Sequence, residues 1–224
     1  MKTIGIIGGL GPESTAAFYQ AITRDYYRRH ADYAYPEILI HSLPFSEIID
    51  AGYRLAGRIE DSIRRLAAAG ADFVVAACNS IHIVYDEVAP GAPVPWVSIM
   101  DAVAEKVRQA GIDRAALLGT EFTMRGDFYQ KAFSRGDLEV LLPGDKDRET
   151  VNRIIYDELV TGETRESSRQ AVVEAIRRLG ETGAKGVILG CTELPFLIRP
   201  EDVEMPVFDS TQILARKALD AATE

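Results

Sequence analysis

With 224 residues, the chain has room for one sizeable core or for two lobes of about 100 residues each. Its 47% hydrophobic and 26% charged residues are ordinary globular composition, and the net charge of −9 disfavours a nucleic-acid or anionic-membrane partner. No basic cluster is interleaved with aromatics, no apolar run approaches the roughly 20 residues that span a bilayer, and the N-terminus enters a strand at once, which reads as no signal peptide.

Two cysteines in such a chain suggest thiols rather than a disulfide framework, and so a cytoplasmic protein. Thr3-Ile4-Gly5-Ile6-Ile7 predicts the first strand, and Gly8-Gly9-Leu10-Gly11-Pro12 leads into a helix from about Glu13 to Arg29. The glycines do not complete a dinucleotide fingerprint, because Ser14 stands where glycine or alanine is needed. A loop whose backbone N–H groups hold a small anion, such as a carboxylate around Gly9 and Leu10, fits better. Glu37 to His41 is a second strand, and a helix comes next from about Tyr53 to Ala69, with Leu55, Ile59, Ile63 and Leu66 on one face and Gly70 as its stop.

Phe73-Val74-Val75-Ala76-Ala77 is a buried strand that ends in Cys78-Asn79-Ser80. Ile81 to Glu87 reads as helical, and Pro90, Pro93 and Pro95 break the chain into a loop. A short strand at Val97-Ser98-Ile99 and a helix capped by Asp101 complete the first half. The pattern then restarts with a strand at Ala115 to Leu118, a turn at Gly119-Thr120, and a helix carrying Phe128-Tyr129. After a short strand at Leu138 to Val140, helices are expected over Arg148 to Val160 and Glu166 to Glu181. Val187-Ile188-Leu189 is the next buried strand; Gly190 turns the chain, and Thr192 is placed to cap a helix starting just after Cys191. Val207-Phe208 and a helix from Ser210 close the chain.

One interval of 113 residues separates Gly70 from Gly183 and Cys78 from Cys191, so a helix end, a strand and a cysteine recur together. The expected fold is therefore α/β with two similar halves; if they pack face to face about a pseudo-twofold axis, the carboxyl ends of both central strands meet in one cleft. Residues 1–98 with 208–224 would form the lobe carrying Cys78, and 99–207 the lobe carrying Cys191.

Ligands of open α/β sheets bind beyond the carboxyl ends of the strands, where both cysteines fall. One plain reading is a pair of inert core residues, since free cysteine is often buried. A disulfide is disfavoured because catalytic dithiols usually sit as Cys-x-x-Cys. Two thiols flanking one carbon can instead act as acid and base. A racemase removes a proton from one face of a stereocentre and returns one to the other; a thiolate and a thiol do this and exchange roles with direction. Asn79, Ser80, Thr120, Thr123 and Thr192 would supply hydrogen bonds to an amino acid's carboxylate and ammonium, and Glu193 reads either as a contact to the ammonium or as a charge favouring the helix N-terminus. Another cysteine-dependent isomerase, a decarboxylase of a small acid, and a non-catalytic small-molecule binding protein remain alternatives. His30, His41 and His82 lack ligand spacing with either cysteine, so no metal is expected. His82, four residues after Cys78, reads either as a group tuning the thiol or as a structural histidine.

The chain resembles the aspartate/glutamate racemase family of cofactor-independent amino-acid racemases nearly end to end. The resemblance rests on Gly8-Gly9-Leu10-Gly11-Pro12-Glu13-Ser14-Thr15, His41-Ser42, Cys78-Asn79-Ser80-Ile81-His82, Leu117-Leu118-Gly119-Thr120 and Asp127-Phe128-Tyr129. It continues through Ile155-Tyr156-Asp157-Glu158-Leu159, Gly190-Cys191-Thr192-Glu193 and Phe208-Asp209. It implies two similar Rossmann-like lobes with parallel sheets related by a pseudo-twofold axis, an active site in the cleft between them, and catalysis by Cys78 and Cys191 without pyridoxal phosphate, other cofactor or metal, on a small amino-acid substrate, in a homodimer. Ser80 stands where the family commonly has threonine, keeping the hydroxyl. Aspartate-specific members carry an arginine after the second strand; here the stretch is Pro44-Phe45-Ser46-Glu47. Arg165 stands where such members have a lysine, and on the resemblance and that residue the expected substrate is aspartate or glutamate, with a broader range as the alternative.

Overall fold

Ile4–Gly8 forms strand β1, with every side chain buried. A uniformly apolar run of this kind is covered on both faces, as in parallel sheets. The computed structural model describes residues 1–49 and 54–224. Helix α1 (Pro12–His30) follows with Pro12 in its first turn, where a missing N–H costs nothing. Strand β2 (Ile38–Ser42), helix α2 (Phe45–Ile49), helix α3 (Leu55–Ala68) and strand β3 (Phe73–Ala76) come next. Tyr53, the start expected for α3, lies outside the described residues. The three strands pair in parallel in the order β2-β1-β3. Onto them α3 lays Leu55, Ile59, Ile63 and Leu66, all buried, each burial worth roughly 1.5–3 kcal/mol.

Beyond Cys78 the single helix expected over 81–87 is divided. A 3-10 turn at Ser80–Val84 runs into the short helix α4 (Tyr85–Val88), and a second 3-10 turn at Ala89–Gly91 contains Pro90. The β-branched Ile81, Ile83 and Val84 hold α-helix poorly. The expected strand at 97–99 is reduced to one parallel bridge between Val74 and Trp96, with the Val97 N–H donating to the Val74 carbonyl at 2.9 Å. Ile99 already opens helix α5 (Ile99–Gln109), so Asp101 lies in its first turn rather than at its cap, where its charge still suits the helix dipole.

Strand β4 (Arg114–Leu118) restarts the pattern, followed by helices α6 (Glu121–Arg125) and α7 (Phe128–Ser134) and strand β5 (Glu139–Leu141). Helix α8 spans Asp145–Asp157, earlier than the sequence suggests, and gives way to a 3-10 turn at Leu159–Thr161. Helix α9 (Glu166–Glu181), strand β6 (Val187–Leu189), helix α10 (Leu194–Leu197), strand β7 (Val207–Asp209) and helix α11 (Ser210–Thr223) complete the chain. These strands form a second parallel sheet in the order β5-β4-β6-β7. Val151, Ile154, Val172 and Ile176 of α8 and α9 are in its core.

The chain divides into two units, Met1–Ile99 with Thr211–Glu224, and Met100–Ser210. Phe208 and Asp209 pair with β6, so they belong to the second sheet rather than to the segment returning to the first lobe. That return is made by α11: the Lys2 N–H donates to the Ala222 carbonyl at 2.9 Å, and Arg216 lies 3.6 Å from Asp25. With Trp96 beside β3, the order β2-β1-β3-Trp96 repeats as β5-β4-β6-β7, one topology used twice.

Candidate active site

In the first unit, the loop after β1 and the turn after β3 carry the predicted residues, on neighbouring strands of one sheet. Gly9 has φ +80, and a Cβ there would lie 2.1 Å from the Leu43 carbonyl oxygen, so only glycine fits. Its N–H donates to Thr15 Oγ1 at 2.9 Å, and that hydroxyl donates to the Gly11 carbonyl at 3.1 Å. The Gly9 N–H expected to meet a substrate carboxylate is thus taken by Thr15. Leu10 puts its side chain into the apolar core. Cys78 is half-buried, Asn79 buried and Ser80 half-buried. The Asn79 carbonyl accepts the His82 N–H at 3.0 Å, which starts the 3-10 turn.

His82 is a strut under this turn. Only 1% exposed, it receives the Ile99 N–H at Nε2 (3.3 Å), so Nε2 is bare and the proton sits on Nδ1. Nδ1 then donates to the Cys78 carbonyl at 2.9 Å. Both ring nitrogens are matched to backbone groups, and the ring packs 5.0 Å from that of Trp96. Of the two roles open in the sequence, these bonds fit the structural one: the neutral ring holds the backbone of Cys78.

In the second unit, the loops after β4 and β6 touch. A Cβ on Gly119 would come 2.9 Å from the Gly190 carbonyl oxygen, and the Gly190 N–H donates to the Leu118 carbonyl at 2.7 Å. This contact gathers Thr120, Thr123, Cys191, Thr192 and Glu193 at the carboxyl end of one sheet. Thr120 caps α6 by accepting the Thr123 N–H at 3.3 Å, and the two hydroxyls are 3.1 Å apart. Thr192 does not cap α10. Glu193 holds the cap position without a side-chain bond to the helix, and Thr192 donates its hydroxyl to Glu193 Oε2 at 2.7 Å instead. The Cys191 thiol donates to the same oxygen at 2.9 Å.

Arg165 precedes α9 with its side chain 54% exposed. Its Nε and Nη2 both donate to the Glu163 carboxylate, at 2.8 and 2.9 Å, and these bonds, with the charge of Glu158 behind them, hold the guanidinium above its usual range. A cation absent from the sequence expectations does reach the stretch after β2: Arg58 of α3 pairs with Glu47. Nothing local in the sequence announces that pair. The same holds for Asn152, whose Oδ1 accepts the Glu121 N–H at 2.7 Å beside the Thr120 cap. The buried Glu158 accepts the Ser168 hydroxyl at 2.6 Å.

Each cysteine sits two residues past the end of an equivalent strand, β3 for Cys78 and β6 for Cys191, and neither is in a disulfide. Among the described residues no cluster of three or more His, Cys, Asp or Glu is placed to hold a metal ion, and no helix is long and apolar enough to cross a membrane. Residues 7–218 match the Asp/Glu/Hydantoin racemase family. The chain belongs to that family.

Three similar proteins match nearly all of the chain. The broad specificity amino-acid racemase RacX of Bacillus subtilis (strain 168) is 27% identical over 223 residues, 96% of each chain. The crystal structure of an aspartate racemase homologue from Pyrococcus horikoshii OT3 is 40% identical, with a TM-score of 0.89 and 100% of each chain covered. Aspartate racemase from Picrophilus torridus, 23% identical, shares the fold with a TM-score of 0.77 over 100% of this chain and 95% of its own. The two parallel sheets of this Asp/Glu/Hydantoin racemase family member are thus those of a racemase fold.

Proposed function

We propose that this chain is a cofactor-independent amino-acid racemase in which Cys78 and Cys191 are the two acid/base groups. The observation that carries the reading is the repeated placement of a thiol two residues past the same strand of each unit. One sulfur, as thiolate, takes the α-proton; the other, as thiol, delivers a proton to the opposite face, and the reverse reaction exchanges the roles. Both transfers are made by protein groups, so the reading calls on no cofactor. The carbanion-like state is stabilised by donors aimed at the substrate carboxylate, a role we assign to Asn79, Ser80, Thr120, Thr123 and Thr192. The backbone around Gly9 and Leu10 shapes the pocket in this reading, because the Gly9 N–H is engaged with Thr15.

The substrate range extends to neutral side chains. Arg165 is engaged by Glu163, which leaves it poorly placed to select a second carboxylate. RacX, of broad specificity, fits the same reading. A homodimer in the cytoplasm completes the proposal.

The test is incubation of the purified protein with a panel of single-enantiomer amino acids in deuterium oxide. Deuterium should enter Cα while optical purity decays, for neutral as well as acidic members. Absence of exchange across the whole panel would contradict the assignment.

A further inference from the structure

One carboxylate oxygen, Oε2 of Glu193, accepts both the Cys191 thiol, at 2.9 Å, and the Thr192 hydroxyl, at 2.7 Å. This arrangement is chemically one-sided. The thiol form of Cys191 donates a hydrogen bond to the carboxylate, whereas the thiolate would set two negative charges at hydrogen-bond distance. The Thr192 hydroxyl, bonded to the same oxygen, holds the carboxylate beside the sulfur.

We propose that Glu193 is a positioning residue that holds Cys191 in its thiol form, so that Cys191 keeps its proton to higher pH than a thiol with no carboxylate beside it. This rests on the two-thiol reading above. Its consequence concerns pH. A two-base racemase is competent only when one sulfur is protonated and the other is not. Two equivalent thiols lose their protons close together, which leaves a narrow competent window. A carboxylate beside one of them delays the second loss and extends the window on the alkaline side. The equilibrium constant between enantiomers is unity, so kcat/KM must change by the same factor in both directions. The asymmetry therefore shows in the alkaline limb of the pH profile and in the reactivity of Cys191 itself.

The experiment is alkylation of Cys191 by iodoacetamide, followed by mass spectrometry across the pH range around the usual thiol pKa, in a Cys78→Ser background so that one thiol reports. Adding Glu193→Gln should displace the alkylation curve to lower pH and raise the rate at neutral pH on the order of tenfold, with the same alkaline plateau. A purely structural role would change the plateau, through access, and leave the midpoint in place. Glu193→Asp, which keeps the charge but shortens the reach, should fall between the two and serves if the glutamine variant folds poorly. In the otherwise native enzyme, Glu193→Gln should draw in the alkaline limb of kcat/KM by the same displacement. An unchanged midpoint in both Glu193 variants overturns the proposal even if the native protein racemises amino acids. A displaced midpoint in a protein that exchanges no Cα proton upholds the Cys191–Glu193 pairing and removes the racemase reading instead.

Discussion

In Gly9→Ala the added methyl group has no room. It would lie 2.1 Å from the Leu43 carbonyl oxygen, 2.7 Å from the Leu43 nitrogen and 2.9 Å from Ser42 Oγ. Two of these three atoms are backbone, so no side-chain rotation relieves the overlap. The φ of +80 adds a conformational cost of about 1–2 kcal/mol for a residue with a Cβ. Moving the loop away from Leu43 strains the Leu43 N–H bond to the Gly8 carbonyl and the Gly9 N–H bond to Thr15, both 2.9 Å. Each contributes roughly 1 kcal/mol net, so the total loss is on the order of 3–4 kcal/mol. For a chain of this length that is a fall in Tm of about 10 °C, read by circular dichroism. Gly57→Ala is the matched control: Gly57 lies inside α3 with nothing within 4 Å of its added Cβ, and it should gain about 0.5–1 kcal/mol from helix propensity. A Gly9→Ala protein melting within about 2 °C of the native one would refute this reasoning about the loop.

Three further outcomes rest on named contacts. Arg165→Ala should change kcat/KM for aspartate, glutamate and neutral amino acids by less than about threefold, because its guanidinium is already held by Glu163; a selective loss on acidic substrates of tenfold or more contradicts this. His82→Ala leaves the Ile99 N–H and the Cys78 carbonyl without the ring, at about 1–3 kcal/mol for each buried group, and a urea midpoint equal to that of the native protein would show that the ring is no strut. Burial, with Arg65 nearby, pushes His41 below its usual range. The unfolded chain therefore binds this proton more readily, and the stability contributed by the neutral ring is complete above about pH 6.5 and lost as pH falls below it. Native Tm should drop more steeply from about pH 7 to about pH 5 than that of His41→Gln, and parallel curves would count against it.

Much of the fold can be read from the sequence because it is written in local pattern. β1, β3 and β6 are short apolar runs bounded by glycine or small residues, and the interval from Cys78 to Cys191 exposes the repeat without any contact information. The Trp96 bridge is not legible, and a strand at 97–99 is expected in its place, because one bridging residue has no periodicity and Ile99 is drawn into the next helix. Thr192 illustrates a different limit. Threonine before a helix is a good cap by type, but α10 begins at Leu194, which puts Glu193 rather than Thr192 at the cap position and leaves the Thr192 hydroxyl to donate to the Glu193 carboxylate. Likewise, Arg165 and Arg58 are visible as cations, but which acid each one meets depends on side-chain reach across elements. His82 cannot be assigned from spacing, since its role depends on the Ile99 N–H, 17 residues away.

The central claim is that Cys78 and Cys191 each serve one face of the substrate carbon. It is tested most directly by measuring racemisation, as loss of optical activity from a single enantiomer, in Cys78→Ser and Cys191→Ser proteins whose melting curves match the native one. Each variant should lose racemisation by on the order of 10²-fold or more, since a positioned acid or base contributes that much. A racemisation rate above about a tenth of native in either variant would contradict catalysis by two thiols.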